Sequence, residues 1–179
     1  MSFPSRHILA LCGSLRAASL NLKTLRAAVR VAPSSARLTI HPSLGRLPLF
    51  NPDDEAGDPA PVAELRGEIV RADALVIASP EYAHGISAVI KNALDWMVGN
   101  ESFMMKPVAV WNTSPRAYHA QAALRETLRT MTAVVVEEAC IELPILGSGL
   151  DEDGIVSRPE LAAALRSALA SLAAAAQRP

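Results

Sequence analysis

Ile8-Leu9-Ala10-Leu11-Cys12-Gly13-Ser14-Leu15-Arg16-Ala17-Ala18-Ser19-Leu20-Asn21 is the stretch on which the reading of this chain turns. The apolar run Ile8 to Leu11 reads as a buried strand, and the spacing of Leu25, Ala28, Val29 and Ala32 predicts a helix after Asn21. Between them lies a polar turn with a glycine, an arginine, and small hydroxyl and amide side chains. A strand that enters a helix through such a turn presents free N–H groups and the positive end of the helix dipole, and an arginine completes a shell around an anion. An ordinary strand-to-helix turn with Ser19 as N-cap fits the same residues, so this stretch alone leaves both readings open.

Working outward, Arg37 to His41 reads as a second strand, Ala74 to Ser79 as a third and Pro107 to Asn112 as a fourth, while Ala133 to Val136 opens a fifth. The third run is continuously apolar rather than alternating, which indicates burial on both faces, as in a parallel sheet covered by helices. Helical spacing joins Val62, Leu65, Ile69 and Val70. It also joins Ile86, Val89, Ile90, Ala93, Leu94, Met97 and Val98, then Ala120, Leu124, Leu128 and Met131, and finally Leu161, Leu165, Ala168, Leu169 and Leu172. Ser157 and Glu160 form a capping-box pattern ahead of the last helix. Five strands alternating with five helices predict an α/β fold, a doubly wound parallel sheet with helices on both faces. The 179 residues carry no internal repeat and no linker, so a single domain over 1–179 is expected. In such sheets ligands bind beyond the carboxyl ends of the strands. That makes neighbours of three loops: Gly13 to Asn21, Pro80 to Gly85 and Thr113 to Tyr118.

Pro42 to Pro61 is a long irregular segment, with the consecutive acids Asp53, Asp54 and Glu55 expected to face water. Within it, Leu47 to Asn51 is apolar for a loop; it either packs over the sheet edge or meets a ligand or a partner subunit. A net charge of −1 offers no electrostatic case for nucleic acid or membrane, so anion selectivity must be local. Aromatic residues make up only 4%, so the core is built from Ala, Val, Leu and Ile. Cys12 and Cys140 form no C-x-x-C motif and read as buried thiols in a reducing compartment. No signal-peptide core precedes the first strand, and the alanine-rich segment Leu161 to Ala176 is interrupted by Arg166, so a cytoplasmic protein is expected. No metal is assigned.

A dinucleotide turn needs G-x-G-x-x-G and an acid at the end of the second strand; here Gly13 is followed by Ser14-Leu15-Arg16-Ala17-Ala18, and the second strand ends in His41. The triphosphate pattern G-x-x-x-x-G-K-[ST] is absent as well. What remains suits one terminal phosphate, such as that of FMN, whose ring would extend toward the loops after the third and fourth strands.

Gly13-Ser14-Leu15-Arg16-x-x-Ser19-x-Asn21, then Ser79-Pro80-Glu81-Tyr82-Ala83-His84-Gly85, then Ile90-Lys91-Asn92-Ala93-Leu94-Asp95-Trp96 together resemble the NADPH-dependent FMN reductase family, which includes azo-, quinone- and chromate-reducing flavoproteins. Leu47-Pro48-Leu49-Phe50-Asn51-Pro52-Asp53 is similar to that family's loop after the second strand. The resemblance implies a flavodoxin-like five-stranded sheet of order 2-1-3-4-5, bound FMN, and NADPH or NADH as electron donor. By position it implies that Ser14, Arg16, Ser19, Leu20 and Asn21 bind the FMN phosphate. Pro80, Glu81, Tyr82, Ala83, His84 and Gly85 would border the isoalloxazine, and Ser114 the pyrimidine side. Many relatives have Asn where this chain has Ala83. A homodimer or homotetramer is implied, acting on small-molecule substrates.

No side chain carries hydride, so no catalytic residue is assigned; the flavin passes electrons to a quinone, azo compound, free flavin or metal oxyanion. His84 either donates a proton to the acceptor or stands by, and Tyr82 either stacks or only shapes the turn. Lys91 and Asp95 read as a surface helix pair, and Asn92 and Trp96 as fasteners of their helix. The rival is a flavodoxin-like electron carrier that does not oxidise NAD(P)H. A near-neutral, aromatic-poor composition speaks against it.

Overall fold

The computed structural model describes residues 5–177, so residues 1–4 and 178–179 of the expected domain lie outside the described residues. The elements are β1 (Arg6–Cys12), α1 (Leu20–Val31), β2 (Ala36–Ile40), α2 (Ala60–Arg71), β3 (Ala74–Ala78), β4 (Glu81–Tyr82), β5 (Gly85–Ile86), α3 (Ala88–Val98), β6 (Pro107–Asn112), α4 (Tyr118–Thr130), β7 (Val134–Val135), β8 (Ile141–Glu142), α5 (Glu152–Val156) and α6 (Pro159–Ala175). The main sheet runs β2-β1-β3-β6-β7, with β8 also on β6, and every pairing in it is parallel. This is the flavodoxin-like order, with the fifth strand in two pieces. β7 pairs with Pro107 and Val108, and β8 pairs with Trp111 and Asn112. In the gap the Val110 N–H donates to Cys140 Sγ at 3.3 Å, and Trp111 Nε1 donates to the Ala139 carbonyl at 3.0 Å. The ladder is thus interrupted where side-chain sulfur and indole take over its bonds.

Successive strand residues face opposite layers. Ile8, Ala10, Val76 and Ala78 pack against Leu25 and Ala28 of α1 and Leu165, Leu169 and Leu172 of α6. Leu9, Leu11, Leu75, Ile77, Val108 and Val110 pack against α2, α3 and α4 through Leu65, Ile69, Ile90, Leu94, Leu124 and Leu128. All five residues of β3 are fully buried. Truncating one of its large members, such as Ile77 to Ala, costs roughly 2–5 kcal/mol. No helix among the described residues is long and apolar enough to cross a membrane.

Several local expectations are corrected. Val29, Val70 and Val98, expected on buried stripes, are exposed, because each lies at the edge of its helix's apolar face. Ala32 is the C-cap of α1 rather than a helical residue. Ile86 belongs to β5, since α3 starts only after its N-cap Ser87. The capping box does not form. Asp151 instead caps α5 by accepting the Gly154 N–H at 2.8 Å, and Ser157 ends that helix with its hydroxyl donating to Gly154 O. Ion pairs from Arg26 to Glu152 and Arg30 to Asp153 tie α5 to α1. α6 then begins with Pro159 after an Arg158 N-cap that makes no side-chain bond. Cys12 and Cys140 are half-buried and unpaired.

The apolar loop Leu47 to Asn51 folds onto α3. Asn92 Nδ2 and Trp96 Nε1 both donate to Pro48 O at 2.9 Å, and the Phe50 N–H donates to Asn92 Oδ1 at 2.8 Å. Phe50 meets Trp96 edge-on, with ring centroids 5.1 Å apart. Asn92 and Trp96 therefore do fasten the helix, and Lys91 pairs with Asp95 as its spacing predicted. Asp53, Asp54 and Glu55 are exposed in a short 3-10 segment, Pro52–Gly57.

Candidate functional site

β1 ends at Cys12, and the Gly13 N–H donates to Ala78 O at 2.8 Å. A Cβ at Gly13 would lie 2.7 Å from both Ile90 Cγ1 and Ser79 Oγ, and 2.8 Å from Ser87 Oγ. Only glycine lets the turn pass this close to the start of α3. The amides of Ser14, Leu15, Arg16, Ala17 and Ala18 have no acceptor among the described residues, and those of Leu20 and Asn21 are the free donors of a helix start. Ser19 is the N-cap, its Oγ accepting the Leu22 N–H at 3.2 Å, with the Cys12 thiol beside it. The N-cap reading of this residue holds, and the cap leaves the amides ahead of it unengaged. Arg16 is exposed and has no ion-pair partner among the described residues. Asn21 is buried, with Oδ1 accepting from Thr113 Oγ1 at 3.0 Å.

The second wall follows β3. Ser79 Oγ donates to Ser87 Oγ at 3.2 Å, and Ser87 caps α3 through the Ile90 N–H. The segment expected as a loop from Pro80 to Gly85 contains a tight hairpin, with Glu81 opposite Ile86 and Tyr82 opposite Gly85. Its two turn residues, Ala83 (φ 49°) and His84 (φ 59°), are both left-handed. Such turns favour Asn-Gly, and a left-handed residue other than glycine costs about 1–2 kcal/mol. Glu81 braces the hairpin against α4: Oε2 accepts the Ala120 N–H at 2.8 Å, and Oε1 meets His84 Nδ1 at 3.1 Å. The N-cap of α4, Ala117, makes no side-chain bond, so Glu81 supplies that helix's missing acceptor. The Ala120 amide first, with the His84 contact and the nearby His119 adding to it, holds the Glu81 carboxyl below its ordinary value.

The third wall follows β6. Buried Asn112 accepts the Ser114 N–H at 2.9 Å, and Ser114 Oγ accepts the Arg116 N–H at 3.3 Å. The three walls enclose a cleft of about 470 Å³, within the roughly 300–1,000 Å³ of small-molecule sites. Ser14, Arg16, Ser19, Leu20 and Asn21 line it from the first loop, Pro80, Glu81 and Tyr82 from the second, and Ser114 from the third. Ala83, His84 and Gly85 sit further along the hairpin, outside the lining. Ser79 and, within the loops expected to meet here, Ala18, Thr113, Arg116 and Ala117 also line the cleft, while Asn112 and Leu146 line it from outside those loops. An asparagine ending a strand buried from Val108 onward is the legible signal for Asn112. Nothing in the sequence brings Leu146 here. The cleft's charged side chains are Arg16, Arg116 and Glu81, and none of its hydroxyls pairs with a histidine. The cleft thus sets two guanidinium groups and the free amides of the first loop beside Pro80, Tyr82 and Leu146, and carries no activated nucleophile.

The model of a family described as NADPH-dependent FMN reductase matches residues 6–144, from the start of β1 to just past β8, which includes all three loops. A quinone reductase of Pseudomonas putida is 37% identical over 139 residues, covering 74% of this chain and 72% of that protein. One from Escherichia coli K12 is 33% identical over 138 residues, covering 73% of each. The solved structure of FerB, a flavoenzyme NAD(P)H:(acceptor) oxidoreductase from Paracoccus denitrificans, superposes with a TM-score of 0.81 at 29% identity, over 96% of this chain and 97% of that one.

Proposed function

This chain belongs to the NADPH-dependent FMN reductase family, and from that premise we propose that the cleft beyond β1, β3 and β6 is its flavin site. The protein is an FMN-dependent NAD(P)H oxidoreductase. The observation that carries the site is the run of partnerless amides from Ser14 to Ala18, ahead of the α1 N-terminus and beside unpaired Arg16. Donors without acceptors at a helix start suit a phosphate. Pro80, Tyr82 and Leu146 offer apolar surface for a ring, with Thr113 and Ser114 supplying polar contacts at one edge.

In this reading Ser14, Arg16, Ser19, Leu20 and Asn21 hold the phosphate. Pro80 to Gly85 border the ring, with Pro80, Glu81 and Tyr82 nearest, and Ser114 faces its pyrimidine side. The bound flavin would supply the chemistry the side chains lack, taking hydride from a nicotinamide and passing electrons on. The protein's own work is to bind, orient and limit water access. We take a quinone as the acceptor, on the activity named for the relatives of 37% and 33% identity. Residues 1–179 are read as one flavodoxin-like FMN-binding domain. A homodimer or homotetramer is proposed on the exposed apolar tip of the loop on α3, where Leu49 is 85% exposed. A cytoplasmic setting is proposed on the unpaired thiols.

An absorption spectrum of the purified protein with FMN, before and after anaerobic NADPH, tests the reading. Flavin bands that bleach are expected. A protein that binds no FMN, or flavin that neither NADPH nor NADH bleaches, would overturn it.

A further inference from the structure

Among the described residues, His84 is the one histidine whose side chain is fastened to a residue of the cleft wall; it sits on the hairpin just beyond the lining. Its Nδ1 lies 3.1 Å from Glu81 Oε1, while Oε2 of the same carboxylate is held by the Ala120 N–H at 2.8 Å. The Glu81 side chain is 11% exposed against 73% for His84, so the carboxylate is the fixed partner and the imidazole the accessible one. An ionised carboxylate only accepts, which requires the proton on Nδ1. Nε2 has no hydrogen-bond partner among the described residues.

The ring is also held from the side. His119, at the start of α4, meets it nearly perpendicular with centroids 4.3 Å apart, and the Tyr118 ring lies tilted against His119 with centroids 4.0 Å apart. The ionisable groups facing His84 are thus Glu81 from β4 and His119, with Tyr118 behind it, from α4. The backbone that places the ring is left-handed at both Ala83 and His84, a conformation that persists only where its surroundings enforce it.

Reducing a quinone to a hydroquinone consumes a hydride and a proton, and the reductase chemistry supplies only the hydride. We propose that Glu81 and His84 form a proton-delivery pair for the acceptor half of the reaction, with Glu81 as the positioning residue and His84 Nε2–H as the donor to the quinone oxygen. This rests on the reductase reading above. As hydride brings two electrons to the quinone, a new O–H bond forms at its oxygen and the Nε2–H bond of the imidazolium breaks. The electron pair of that bond stays on Nε2, the ring becomes neutral, and water restores its proton. Quinone, hydride and proton sum to hydroquinone.

The test uses FMN-loaded protein whose flavin is reduced photochemically, then reoxidised in stopped flow by p-benzoquinone or by ferricyanide, which takes up electrons without protons. His84→Gln should lower the ratio of the quinone rate to the ferricyanide rate about tenfold. That is below the 10²–10⁴ typical of general acids, because water reaches so exposed a ring. A second readout needs no flavin: nitrogen NMR of histidine in the flavin-free protein. Wild-type His84 should be the Nδ1–H tautomer. In Glu81→Gln, the side-chain oxygen keeps the Ala120 bond and the NH₂ turns to Nδ1, so His84 should switch to Nε2–H. An unchanged rate ratio, or an Nε2–H tautomer in the wild type, overturns the proposal. Failure of the nicotinamide reading would appear separately, as wild-type flavin that NADPH and NADH leave oxidised.

Discussion

Removing the guanidinium of Arg16 separates the charged part of the proposed phosphate site from its backbone part. A hydrogen bond to a charged group contributes about 1.5–3 kcal/mol. Arg16 is exposed, with no competing carboxylate among the described residues, so solvent screening places the loss near the lower end. A loss of about 1.5 kcal/mol weakens binding roughly tenfold. The amides from Ser14 to Ala18 and the α1 N-terminus remain in Arg16→Ala, so binding should weaken rather than vanish. Titrating flavin-free protein with FMN by fluorescence quenching gives the affinity. Riboflavin, which has the same ring and no phosphate, is the control. The variant should lose about tenfold for FMN and nothing for riboflavin, and the FMN difference should shrink in high salt. Equal losses for both ligands, or unchanged FMN affinity, would refute the phosphate assignment.

Gly13→Ala places a methyl 2.7 Å from Ile90 Cγ1 and Ser79 Oγ, and should cost about 1–3 kcal/mol in urea unfolding as the start of α3 is displaced. Ser19→Asp should keep the α1 cap, leaving thermal stability near wild type, while weakening FMN binding by like-charge repulsion. Ser19→Ala should do the reverse to stability, costing about 1 kcal/mol, or roughly 2–4 °C in Tm for a chain of this size. The Glu81 carboxyl is held below its ordinary value of 4.5, so the stability it adds is complete above that pH and is lost as pH falls through the lower folded value. In acid unfolding, wild type should therefore exceed Glu81→Gln in stability at neutral pH and lose that advantage below pH 4.5.

The strands were legible because continuous apolar runs bounded by Gly, Pro or polar residues have few alternatives. β6 has the ends its sequence predicts, and the ends of β1, β2 and β3 lie within two residues of those predicted. The first loop was legible for a similar reason, since the residues that line the cleft there lie close together in the chain, between Ser14 and Asn21. The misplaced details were those set by competition between neighbours. Ser157 looked like a cap, yet Asp151 built a separate helix upstream and left α6 to begin at Pro159. Pro80 to Gly85 looked like a loop because Ala83 and His84 give no turn signal, and the hairpin exists through bracing by Glu81.

From the sequence alone came the α/β class, the strand order implied by the family resemblance, and the expectation of a single-phosphate anchor between Gly13 and Asn21. These follow from periodicity and from motifs contiguous along the chain. Only the tertiary structure decided that Thr113 bonds Asn21, that Leu146 lines the cleft, and that Glu81 joins His84 to the start of α4. Those contacts join residues far apart in the chain, and hydrophobic period carries no information about which polar ends meet once the sheet has assembled.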